Sequence, residues 1–130
     1  MSTEKFQSSD LAATGWFSEL TGPWGRVPVQ FTATLAEGGE FIYFRGRGSK
    51  VTLEVYPSQE DEENERNLIA LYSMDYPRKT DLAEGEVDFG AGVMEVSEAE
   101  ALIQEWVGTY LRHRRQAAEV SAFADSLSFA

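Results

Sequence analysis

The sequence predicts an α+β fold: an antiparallel sheet of four or five strands in a meander, packed against one long C-terminal helix. Three observations predict it. Up to about residue 76, short runs alternate apolar and polar positions between glycine-rich turns. From Ser97 the apolar spacing changes to alternating fours and threes, the period of a helix. The strand-like runs precede the helix and do not alternate with further helices, which places the helix across one face of an antiparallel sheet.

Met1–Thr14 is polar and rich in small residues, and reads as a loose lead-in with a short helical turn around Ser9–Ala13. Gly15–Pro28, GWFSELTGPWGRVP, is punctuated by glycine and proline and reads as a loop. Its Trp16, Phe17 and Trp24 are expected to fold back over the core. Val27–Leu35 alternates Val27, Val29, Phe31, Ala33 and Leu35 against Gln30, Thr32 and Thr34, the pattern of a half-buried strand. Glu37-Gly38-Gly39-Glu40 is a tight turn, because paired glycines supply the positive φ a hairpin needs. Phe41–Arg45 returns, Gly46–Lys50 turns, and Val51–Tyr56 forms a third strand stopped by Pro57. Ser58–Arg66 reads as an acidic loop. Asn67–Tyr76, NLIALYSMDY, is apolar enough for a strand covered on both faces. Pro77–Gly92 is a second acidic loop, and a short strand at Gly92–Val96 would make the fifth.

The helix opens on a capping box, Ser97-Glu98-Ala99-Glu100. Behind it Ala99, Ile103, Trp106, Tyr110, His113, Ala117, Val120, Ala124 and Leu127 mark one seam, widened by Leu102 and Val107. Residues 97–116 form the main helix, and the rest continues it to Leu127 or docks as a tail. Trp106 is read as core, so Trp106→Ala is expected to cost about 3–5 kcal/mol. The pattern shows no repeat or linker, and residues 1–130 read as one domain.

Composition narrows the chemistry. The chain has no cysteine, which removes disulfides, thiolate metal sites and cysteine nucleophiles. Met1–Asp10 lacks the apolar run of a signal peptide and no stretch is long enough to span a bilayer, so the expected location is the cytoplasm, away from membranes. With 22 acidic against 11 basic residues the net charge is −11. Such a chain repels nucleic acid and speeds encounter with basic proteins, although plain solubility has the same signature.

Four constellations are candidates for chemistry, each with an ordinary structural reading beside it. The acidic run Glu60, Asp61, Glu62, Glu63 and Glu65, with the second group Asp81, Glu84, Glu86 and Asp88, would meet a basic partner or be solvated loop charge. The second group lacks the offsets of a twelve-residue calcium loop. Neither group has apolar surroundings in the sequence that would raise a carboxylate for acid catalysis. Trp16, Phe17 and Trp24 are contact residues or, more simply, a cap on the sheet. Arg45, Arg47 and Lys50 lie around a turn whose order of residues is wrong for a phosphate loop. They are candidate anion contacts or turn charges that blunt an edge. Phe41, Tyr43 and Phe44 beside them would suit base stacking, but net charge argues against nucleic acid. His113, the single histidine, lacks the partners of a catalytic triad or a zinc site and reads as a seam residue. No catalytic residue, metal or cofactor is expected.

The expected function is therefore that of a small acidic, non-enzymatic protein that binds and regulates or inhibits a basic protein. Immunity proteins, antitoxins and phage anti-defence proteins work in this way, some of the last by placing carboxylates where DNA carries phosphates. A self-associating structural subunit, and a carboxylate-dependent enzyme acting on small molecules near Trp16 and Trp24, are the alternatives.

Overall fold

The computed structural model describes residues 7–24, 29–47, 49–75 and 95–127, the side chains of Trp24, Arg47, Ser126 and Leu127 set aside. In chain order its elements are α1 (Ser9–Ala12), β1 (Phe17–Trp24), β2 (Val29–Leu35), β3 (Phe41–Arg47), β4 (Lys50–Tyr56), α2 (Gln59–Glu63), β5 (Ala70–Asp75) and α3 (Val96–Leu127). The five strands form one antiparallel meander in the order β1-β2-β3-β4-β5. The fold is α+β, as the sequence indicates.

The ladder registers stack the alternating apolar residues in rows across the sheet. Phe31 pairs with Phe44, Phe44 with Leu53 and Leu53 with Tyr72. Ala33, Ile42, Val55 and Ala70 make a second row. Ala99, Ile103, Val107 and Tyr110 of α3 complete the core on that face, all buried. Side chains on this face leave water, which is the main stabilising term of the sheet–helix pair.

One polar cluster fixes the helix to the β2–β3 turn. The Tyr110 hydroxyl donates to Glu40 Oε2 at 2.6 Å, and Arg114 Nη1 donates to both Glu40 oxygens at 2.7 Å. The same guanidinium nitrogen donates to the Glu37 carbonyl at 2.9 Å. Burial would raise the Glu40 pKa, but the hydrogen bonds from Tyr110 and Arg114 outweigh it and hold the carboxyl below its ordinary value. Gly38, at φ +96°, makes room: a Cβ there would lie 2.2 Å from Glu40 Oε1 and 2.6 Å from Arg114 Nη1.

Several expectations are corrected. The stretch read as an aromatic loop contains β1, the fifth strand. Its ladder with β2 absorbs the glycine and proline through register shifts at Phe17/Glu19 and Thr21/Trp24. The fifth strand expected at Gly92–Val96 is not where β5 lies; residues 92–94 fall outside the described ones, and Val96 opens α3. The lead-in is docked from Ser8 onward: Leu11 and Ser8 are fully buried, and the Ser8 amide donates to the Gly22 carbonyl. The Ser58–Arg66 loop contains α2, capped by the Ser58 side chain. The strand expected from Asn67 starts at Ala70, because Asn67 sits at φ +60°. It lies at the edge of the sheet with Leu71 exposed, so it is not covered on both faces.

The helix also differs in detail. Glu95 accepts the first helical bond, from the Ala99 amide, which leaves Ser97 inside the first turn and not at the cap. Glu100 accepts from the Ser8 hydroxyl, so the box residue ties α3 to the N-terminal segment. The helix continues to Leu127. Its 32 residues span about 48 Å, against about 24 Å for a seven-residue strand, so the distal half overshoots the sheet. His113, Ala117, Val120 and Ala124 are accordingly exposed, and His113 is no seam residue. The buried arc runs through Val107, Tyr110 and half-buried Arg114 instead. Trp106 lies half-buried at the rim, stacked on Tyr72 with ring centroids 6.3 Å apart.

Candidate functional site

The face of the sheet opposite α3 carries the residues of the other parity. Thr32, Tyr43, Glu54 and Leu71 form one row across it, and Gln30, Arg45, Thr52 and Ser73 the next. The chain leaves β4 at Pro57, turns into α2, and returns through Arg66 and Asn67 to β5. Phe41 and Tyr56, which belong to the same outer face, are buried. The outer face is therefore apolar at one end and polar beyond it, with the acidic helix α2 beside β3 and β4.

The carboxylates here have different roles. Asp61 is an internal brace: it accepts from Arg66 Nε at 2.9 Å, from Asn67 Nδ2 at 3.0 Å and from the Ser58 hydroxyl at 3.0 Å. The hydrogen bond from Arg66, then that from Asn67, holds its pKa below the ordinary value. Glu60 lies 3.6 Å from Arg66 Nη2, and Glu63 accepts from Gln59 at 3.3 Å. Glu62 turns inward and is half-buried. Burial pushes its carboxyl above the ordinary value, and the negative charges of Glu54, Glu63 and Glu65 push it further, against a smaller pull from Arg45. The expectation that no acid in this run has desolvating surroundings is thus wrong for Glu62. Glu65 sits at φ +50° in the turn that reverses the chain. The Tyr56 hydroxyl donates to Glu54 at 2.9 Å.

The basic trio does not form a separate anion pocket. Arg45 lies 5.7 Å above the Tyr43 ring and within the field of Glu62. Lys50 pairs with Asp75 at 3.0 Å. Arg47 pairs with Lys50 in the β3–β4 ladder, its side chain being outside the described ones. The aromatic trio is equally divided. Phe17 packs edge-on against Phe31 at 5.7 Å and Trp16 edge-on against Phe17 at 6.2 Å. Trp16 also lies against α3, close enough that a Cβ on Gly108 would stand 3.4 Å from its ring. Both residues are half-buried, in the position of a cap; the Trp24 side chain is not described. Asp81, Glu84, Glu86 and Asp88 also lie outside the described residues.

Two small recesses are lined by described residues. One of about 100 Å³ lies between Trp16, Ala36, Glu37, Leu111 and Arg114. Another, about 140 Å³ and polar, runs along Glu19, Thr21, Thr32, Thr34 and Gln59. Both fall below the roughly 300–1,000 Å³ of small-molecule sites, and neither holds paired carboxylates. Among the described residues no three His, Asp or Glu side chains gather to hold a metal ion, and no helix is long and apolar enough to cross a membrane.

The sequence reading missed Tyr43 as the partner of Arg45, and missed Glu54. Strand alternation carries the signal for both, since each has the parity of the polar face. No protein-family model, curated protein or solved structure matches this chain.

Proposed function

We propose that this chain is a non-enzymatic binding protein that takes a basic protein partner on the acidic face formed by α2 and the adjoining outer face of β3 and β4, and so regulates or blocks that partner. The observation that supports the reading is the crowding at Glu62. Burial raises the Glu62 pKa, and the negative charges of Glu54, Glu63 and Glu65 raise it further. Like charges held together destabilise the free protein, and a cation-bearing surface relieves that repulsion when it docks. Arg45 offsets the crowding only in part, and Arg66 is taken up by Asp61 and Glu60.

The test is capture from the lysate of the native host at low and high salt, read by mass spectrometry. The bait is compared with a variant carrying Glu60→Gln, Glu62→Gln, Glu63→Gln and Glu65→Gln. The expected result is a basic protein held at low salt, released at high salt and lost by the variant. Equal capture by both baits contradicts the assignment of the face.

A further inference from the structure

The bulge in β1 sets one carboxylate apart. Residues two apart in a strand share a face, so Phe17 and Glu19 would point the same way. The register shift between them breaks that rule. Phe17 pairs with Leu35 and packs on the core side against Phe31, whereas Glu19 pairs with Thr34 on the outer face. Re-aiming a side chain is a recurrent use of a bulge. Thr21 follows on the same outer face, paired with Thr32. Across β2 from them, α2 begins at Gln59. Glu19, Thr21, Thr32, Thr34 and Gln59 thus line the polar recess of about 140 Å³, with buried Phe41 beside them, and its lining lies wholly among the described residues.

This recess is rich in acceptors and no Lys or Arg lines it. Glu19 is exposed, and among the described residues it forms no ion pair. The hydroxyls of half-buried Thr21, Thr32 and Thr34 likewise make no hydrogen bond among the described residues. The Gln59 amide nitrogen is taken up by Glu63 at 3.3 Å, which leaves its carbonyl oxygen as an acceptor. The missing complement is a group that only donates. Size narrows the choice, since a cavity of about 150 Å³ holds a group of about six heavy atoms. A hexose is too large. A divalent cation takes about six or more oxygen ligands and favours several carboxylates, and the recess holds one. A guanidinium with its two adjoining methylenes has the right size, and its planar fork of N–H donors carries no acceptor. A lysine ammonium gathers its donors at one point, whereas the acceptors here are spread over β1, β2 and α2.

We propose that this recess seats the guanidinium of one arginine from the basic partner, paired with Glu19 and donating to the threonine hydroxyls and the Gln59 carbonyl. The inference rests on the reading of this chain as the binder of a basic protein. To the α2 face it adds a contact that selects arginine over lysine.

The probe is N-acetyl-argininamide, titrated into the isotope-labelled full chain and followed by two-dimensional NMR. The controls are N-acetyl-lysinamide and N-acetyl-citrullinamide, the latter of the same shape with a neutral urea. Saturable shifts are expected at Thr21, Thr32, Thr34 and Gln59, in the millimolar range because so few atoms are buried. The citrulline derivative should bind about tenfold more weakly, its charge being absent, and the lysine derivative several-fold more weakly. Glu19→Gln keeps the size of the side chain and should weaken the arginine probe about tenfold. Thr32→Val removes one hydroxyl at nearly the same shape and should weaken it several-fold. Unmoved signals of the core residues Phe31 and Ile103 show that each variant is folded. Equal response to the arginine and citrulline derivatives, equal response to arginine and lysine, or shifts confined to α2 overturn the proposal. The two readings fail separately. Recess shifts of the expected pattern, with equal capture by the parent and the fourfold α2 variant, sink the α2 face and uphold the seat. Salt-sensitive capture with no recess shift upholds the α2 face and sinks the seat.

Discussion

At the scale of single residues, the Glu40–Tyr110–Arg114 cluster decides how α3 meets the sheet. Glu40→Ala removes the carboxylate that both partners share, leaving the buried Tyr110 hydroxyl without its acceptor and Arg114 with the Glu37 carbonyl alone. The expected loss is about 3 kcal/mol in urea denaturation. Gly38→Ala should destabilise by about 2 kcal/mol for a different reason, since the alanine meets both a positive φ and the Glu40 carboxylate. The cluster also sets an acid limit. The folded-state pKa of Glu40 is lowered, so its contribution is complete above the unfolded value near 4.5 and is lost as pH falls through the lower folded value. Stability measured from pH 6 downward should show this loss in the parent and not in Glu40→Gln. None of this was legible beforehand. The two glycines announced a turn, but nothing in the sequence pairs Glu40 with residues 70 and 74 positions away.

At the scale of elements, the four-and-three spacing located α3 but overstated what it buries. The pattern continues unchanged through Ala117, Val120 and Ala124, yet these residues lie beyond the end of the sheet. Periodicity reports a face, and only the length of the opposing sheet determines how much of that face is covered. Ile103→Ala should therefore cost about 3 kcal/mol, and Val120→Ala no more than about 0.5 kcal/mol, by thermal or chemical unfolding. Trp106→Ala belongs near the lower bound of the core range, about 3 kcal/mol, because its ring is half-exposed at the rim. Equal losses at Ile103 and Val120 would mean that the distal helix is packed after all. β1 was illegible for a related reason: glycine and proline normally break a strand, and here bulges accommodate them. The short helix α2 was hidden because five polar residues have no periodicity to read. Its cap, Ser58 three residues before Asp61, was the one available signal.

At the scale of the whole molecule, the sheet sorts charge onto one side. The core face is filled by α3, and the opposite face carries Glu54 with the carboxylates of α2. The acidic run was visible in the sequence as charge, but its placement was not. Neither was the division of labour that makes Asp61 a brace and Glu62 the crowded member. The same net charge of −11 acts on every approach to the molecule, so total charge and local arrangement must be separated experimentally. The most direct measurement compares two fourfold variants of identical net charge for affinity toward the captured partner. One neutralises Glu60, Glu62, Glu63 and Glu65; the other neutralises the exposed Asp10, Glu95, Glu105 and Glu119. The account predicts that the first loses at least tenfold in affinity and flattens the salt dependence, while the second stays close to the parent. Equal losses in both would contradict it, leaving the acidity as a property of the whole surface and not of the α2 face.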